Sequence, residues 1–130
     1  MTRRITITVG QAQWHADLND TATARAILEV LPIEARASRW GGEIYFSIPV
    51  EAKQEKDARD VVAVGELGYW APGSAFCIFF GRTPASTDER PRAASPVNIL
   101  GKVQGDATVF KAVSSGTKVT LAKSSGSDIR

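Results

Sequence analysis

One cysteine and one histidine occur in 130 residues. Cys77 therefore has no partner for an internal disulfide. Flanked by Phe76 and Ile78, it reads as a small buried hydrophobe rather than a reactive thiolate, which needs electropositive, accessible surroundings. His15, within Gln13-Trp14-His15-Ala16, would have to carry any Ser–His or Cys–His chemistry alone, and a site needs convergent partners. A structural histidine is the expectation. Nothing has the ligand spacing of a zinc site, and the glycines follow neither a phosphate-loop nor a dinucleotide pattern. The sequence thus predicts no metal and no cofactor.

Long apolar runs and a strong charge excess are also missing. No stretch approaches the roughly 20 residues that span a bilayer. Met1-Thr2-Arg3-Arg4 leads into an alternating pattern rather than the apolar run of a signal peptide. Both points favour a cytoplasmic protein without membrane contact. The formal net charge is only +2, and the basic residues Arg3, Arg4, Arg36, Arg39, Arg59, Arg90, Arg92 and Lys102 are scattered. A nucleic-acid surface would gather them on one face beside stacking aromatics, so nucleic acid is not an expected partner. The oligomeric state is left open.

What is present is alternation. Ile5, Ile7 and Val9 share one face of a strand and Arg4, Thr6 and Thr8 the other. Gly10-Gln11 is a turn signal, and 13–18 completes a hairpin. Asn19-Asp20 starts a helix whose apolar stripe is Ala24, Ile27, Leu28 and Leu31, and Pro32 ends it. Strands are expected at 34–40, 43–49, 61–64, 75–80, 97–103 and 118–123. The charged stretch 51–60 reads as a solvated loop, and 81–96, with three prolines, as the longest connection. Asp106 caps a second short helix. A polar tail at 124–130 reads as flexible, which leaves 1–123 as a single domain. Seven or eight strands, two helices and no repeat suit one antiparallel barrel or sandwich.

The most informative run is 68–84, from Gly68-Tyr69-Trp70-Ala71-Pro72-Gly73 to Phe79-Phe80-Gly81-Arg82-Thr83-Pro84. Its central strand is apolar on both faces and cannot stand at an exposed sheet edge. Together with Trp40-Gly41-Gly42-Glu43-Ile44-Tyr45-Phe46 and Ala94-Ser95-Pro96-Val97-Asn98-Ile99-Leu100-Gly101, it resembles the cyclophilin-like family of small prokaryotic proteins. The resemblance runs from Ile5 to about Ala122. It implies a mainly β fold, a closed eight-stranded antiparallel barrel of cyclophilin type with two short helices. Ile5, Ile7, Ile44, Phe46, Val97, Ile99, Val119 and Leu121 should then face inward, on the parity of their strands.

Cyclophilins are peptidyl-prolyl isomerases that use an arginine in a Phe-His-Arg motif after the first helix. Here that strand reads Ala35-Arg36-Ala37-Ser38-Arg39-Trp40, without the motif. Arg36 or Arg39 could take a similar place, but one residue of register sends either to the opposite face. Gly73-Ser74-Ala75-Phe76-Cys77 echoes a cyclophilin element with its glutamine replaced. Two readings follow. One is a module that binds a peptide segment or small molecule at a polar-aromatic patch of Glu43, Tyr45, Tyr69, Trp70, Arg82, Thr83, Ser95 and Asn98, since ligand pockets combine apolar lining with a few polar groups. The other is an enzyme, an atypical prolyl isomerase above all.

Overall fold

A computed structural model describes residues 3–124. The expected tail from 125 onward lies outside them. The ten strands are β1 (Arg4–Val9), β2 (Ala12–Leu18), β3 (Ile33–Arg36), β4 (Ser38–Trp40), β5 (Glu43–Ser47), β6 (Arg59–Val61), β7 (Glu66–Trp70), β8 (Ala75–Phe79), β9 (Arg92–Val103) and β10 (Lys118–Lys123). One α-helix, α1 (Ala22–Val30), and two short 3-10 segments, Ala71–Gly73 and Ala107–Ala112, complete the elements of the described residues. The fold is mainly β and antiparallel. It differs from the eight-stranded closed barrel in two ways. There are ten strands, and the hydrogen-bonded path β3-β10-β1-β2-β9-β7-β8-β5-β4 has two ends, with β6 paired to β9 off this path.

Those two ends are neighbours in sequence. Only Ala37 separates β3 from β4. The segment expected as one strand over 34–40 changes partner there, pairing with β10 before Ala37 and with β5 after it. Ala37 itself bonds off the ladder: its N–H donates to the Thr117 carbonyl at 2.9 Å, and its carbonyl accepts from Gly116 N–H at 2.7 Å.

Local chemistry accounts for the other boundaries. The Thr21 hydroxyl caps α1 by accepting from Ala24 N–H at 3.2 Å, so the helix begins just past the expected Asn19-Asp20. Asn19 instead accepts from the Thr21 hydroxyl at 2.8 Å. Leu31, before Pro32, is extended and ends the helix as expected. The second expected helix is the 3-10 segment 107–112, capped by Asp106, whose carboxylate accepts from Thr108 N–H at 3.0 Å. The loop after β8 is shorter than expected, because β9 already begins at Arg92. Pro96, which lacks a ladder donor, lies where the β6–β9 register is irregular.

The principal core lies on one face of the sheet. It holds Ile5, Ile7, Ile44, Phe46, Leu67, Tyr69, Phe76, Ile78, Leu100, Val119 and Leu121. A second, smaller core lies separately and comprises Val62, Ala75, Cys77, Phe79, Ala93 and Val97, with Tyr45, Trp70 and Ile99 packed against it. β8 is therefore buried on both faces, as its unbroken apolar sequence predicts. Val97 and Ile99 correct the expected inward set, for Val97 belongs to the second core and the half-buried Ile99 packs against it. A register shift between Leu67 and Gly68 in the β7–β9 ladder exchanges the faces of β9. Gly68 is what lets Val97 approach, since a Cβ there would stand 2.8 Å from a Val97 methyl.

Candidate functional site

A cavity of about 270 Å³ opens beside the second core. It is lined by Trp40 of β4, Glu43 and Tyr45 of β5, Trp70 of β7, Cys77 of β8, and Ala93, Ala94 and Val97 of β9. Strand parity makes this grouping. Glu43 and Tyr45 are two residues apart on β5 and face the same way, and the ladder sets Tyr45 opposite Cys77. The glycines around them fix the walls. Gly42 crosses Gly81 so closely that a Cβ would stand 2.2 Å from the Gly81 carbonyl carbon. Gly42 N–H donates to the Arg82 carbonyl at 2.7 Å, and the Gly42 carbonyl accepts from Phe80 N–H at 2.7 Å. The turn between Trp40 and Glu43 is thereby clamped to the end of β8.

Glu43 is the unusual member. Its residue surface is only 5 % exposed. Among the described residues no Lys, Arg or His forms an ion pair with it. Burial pushes its carboxyl up to about 7, a rise that the neighbouring Cys77 side chain partly opposes. The Cys77 thiol is driven up strongly, first by its own burial and then by the Glu43 charge. A carboxyl that changes charge near neutrality thus faces a largely apolar space.

Trp70 is held in place. Its indole Nε1–H donates to the Ser95 hydroxyl at 2.7 Å. Its ring leans on Gly73, where a Cβ would come within 2.9 Å.

The eight residues expected to form the patch separate into groups. Glu43, Tyr45 and Trp70 line the cavity, and Ser95 reaches it through Trp70. Tyr69 is fully buried in the principal core. Its hydroxyl donates to the Val50 carbonyl at 2.6 Å and accepts from Ala52 N–H at 3.1 Å. Asn98 is also buried. Its amide donates to the Lys53 carbonyl at 2.9 Å and the Thr23 hydroxyl at 3.1 Å, while its carbonyl accepts from Glu55 N–H at 2.6 Å. These two side chains tie down loop 51–58, which the sequence presents as merely solvated. The Thr83 hydroxyl donates to the Arg92 carbonyl and locks the loop before β9. Arg82 borders a different surface depression, with Thr87, Asp88, Glu89 and Arg90.

Cavity residues that the sequence did not offer for the site are Trp40, Cys77, Ala93, Ala94 and Val97. Neither arginine of the 33–40 segment lies among the lining residues. Arg36 donates to the Gly116 carbonyl at 2.9 Å. Arg39 donates to the Gly41, Lys111 and Val113 carbonyls, with its guanidinium 5.2 Å from the Phe80 ring centre. His15 is exposed, its Nδ1 3.4 Å from the Thr6 hydroxyl. Among the described residues no cluster of three His, Cys, Asp or Glu side chains could hold a metal ion, and no helix is long and apolar enough to cross a membrane.

A model of the family described as cyclophilin-like matches residues 3–122. The chain belongs to the cyclophilin-like family. Among solved structures, a hypothetical protein from Archaeoglobus fulgidus, determined in solution, shares 38% sequence identity over 95% of each chain, with a TM-score of 0.81. No curated protein matches the chain. Membership in the cyclophilin-like family fixes the architecture and leaves the activity to the site, since one fold hosts many functions.

Proposed function

We propose that this cyclophilin-like protein is a binding module for a small molecule, seated in the cavity of Trp40, Glu43, Tyr45, Trp70 and Cys77. One observation carries the reading. A carboxyl buried beside an open, aromatic-walled cavity has no cationic partner among the described residues. Folding gains nothing from desolvating such a group, so a ligand that meets it is the natural compensation. The aromatic side chains offer broad contact area, and the indole of Trp70 is oriented beforehand by Ser95. At about 270 Å³ the cavity falls just below the usual range of ligand pockets, about 300 to 1,000 Å³. That size favours a compact molecule, or the tip of a peptide side chain, over an extended peptide.

The test is a melting-temperature screen of small metabolites and short peptides, run on the natural protein and on Glu43→Gln, Ser95→Ala and Tyr69→Phe. A ligand at about one hundred times its Kd stabilises by about 2.7 kcal/mol. Hits should lose their effect in Glu43→Gln or Ser95→Ala and keep it in Tyr69→Phe. Hits that ignore both cavity variants would place binding elsewhere and refute the reading.

A further inference from the structure

We propose that the head group this cavity receives is an organic ammonium, held by the faces of Trp40, Tyr45 and Trp70 against the Glu43 carboxylate. This deepens the binding-module reading and rests on it. Four features of the cavity converge on a cation. Three of its eight lining side chains are aromatic, from three different strands. Aromatic faces are negative and attract cations, most strongly where water is excluded. The only acidic group in the lining is Glu43, and no Lys, Arg or His lines the cavity to neutralise it. The remaining lining residues, Cys77, Ala93, Ala94 and Val97, are small or apolar. They suit methyl or methylene groups and offer a metal ion no set of oxygen ligands.

A bare metal cation or a guanidinium is a poorer match. The first needs several oxygens and the second several acceptors in one plane, whereas the cavity supplies one carboxyl. A substituted ammonium needs one charge and much apolar contact.

Protonation of Glu43 should then govern binding. The titratable groups facing Glu43 across the cavity are the Cys77 thiol from β8 and the Tyr45 phenol from β5. β4, β7 and β9 contribute Trp40, Trp70, Ala93, Ala94 and Val97, none of which titrates. The thiol is pushed upward by burial and by Glu43, so it stays neutral over the range where Glu43 ionises. Ammonium affinity should therefore rise with pH through about 7, where Glu43 gives up its proton.

The probes are choline and its uncharged isostere 3,3-dimethylbutan-1-ol, titrated by calorimetry and by indole fluorescence at constant ionic strength. At pH 8 choline should bind about tenfold tighter than the isostere. That preference should shrink several-fold at pH 5.5, and Glu43→Gln should show the same reduced preference, the part supplied by the aromatic faces, at both pH values. Trp40→Leu, on the partly exposed rim, should weaken choline several-fold without moving the pH dependence. A trimethyl-lysine amide presents the same head on a side chain. If it binds tighter than choline, the ligand belongs to a modified protein; if weaker, to a free metabolite; both keep the head group. Equal binding of choline and the isostere would refute the ammonium while leaving the cavity a binding site. Failure of choline and trimethyl-lysine alike to bind would overturn the inference, and the melting-temperature screen would still decide the binding-module reading by its own variants.

Discussion

Replacing Glu43 by glutamine should make the protein more stable at pH 8 and leave it almost unchanged at pH 4. The carboxyl has an ordinary value of 4.5 and is pushed up to about 7 by burial in the folded state. Between those values the native protein holds a proton that the unfolded chain has released. Stability then falls as pH rises, because the native state binds more protons than the unfolded one. The interval, at about 1.4 kcal/mol per pH unit, makes about 3 kcal/mol that is present below pH 4.5 and gone above pH 7. Glutamine keeps the shape and cannot ionise, so it escapes this loss. For a domain of this length about 3 kcal/mol corresponds to about 10 °C in Tm. The assay is urea unfolding of both proteins at half-unit steps from pH 4 to pH 8. Subtracting the curves cancels the carboxylates whose pairing works in the opposite sense, such as Asp17 with Gln104 and Arg4, and Asp88 with Arg90. The difference should grow by about 1.4 kcal/mol per pH unit between 4.5 and 7 and then level off. A difference that stays within about 1 kcal/mol throughout would mean an ordinary carboxyl, and the electrostatic account of the cavity would fail.

Other substitutions separate framework from site. Phe46→Ala should cost about 3–5 kcal/mol in denaturant melts, since the ring is buried and stacks on Phe76 at 5.4 Å; a loss under about 1 kcal/mol would contradict its burial. Asn98→Ala strands Glu55 N–H and the Lys53 carbonyl; it should cost at least about 2 kcal/mol and open loop 51–58 to proteolysis, both measurable without any ligand. Gly42→Ala should abolish soluble folding, because the new methyl would overlap Gly81 backbone at 2.2 Å; a normally melting variant would show that the crossing of 42 and 81 is looser than described.

The β framework was legible where alternation is clean. Ile5, Ile7 and Val9 declare their face, and so do Ile44 and Phe46. Legibility failed where periodicity is lost or shifted. The β7–β9 irregularity turns Val97 and Ile99 toward the second core, and its only signs in the residues are Gly68 and Gly101 inside their strands. The partner exchange at Ala37 is silent, because an alanine in a strand gives no sign of a bend. At the site, Glu43 and Tyr45 were readable from shared parity. Cys77 was not, since every residue of β8 is apolar and its faces cannot be told apart by sequence. Tyr69 and Trp70 were grouped together, although adjacent strand residues point to opposite sides; Val97 and Asn98 were set on opposite faces, but with the two faces exchanged. One residue of each pair borders the cavity and the other braces the interior.

The cavity stands on β8, the strand enclosed between two cores. Amides in such a strand exchange only when the whole domain opens, so the floor under a ligand is a fixed casting. Trp40 on the rim comes from a strand of three residues, and Ala93 and Ala94 from the start of β9. New preferences would therefore arise by exchanging side chains around this rim, while the floor, where any added methylene must displace packed neighbours, keeps the same shape from one descendant to the next.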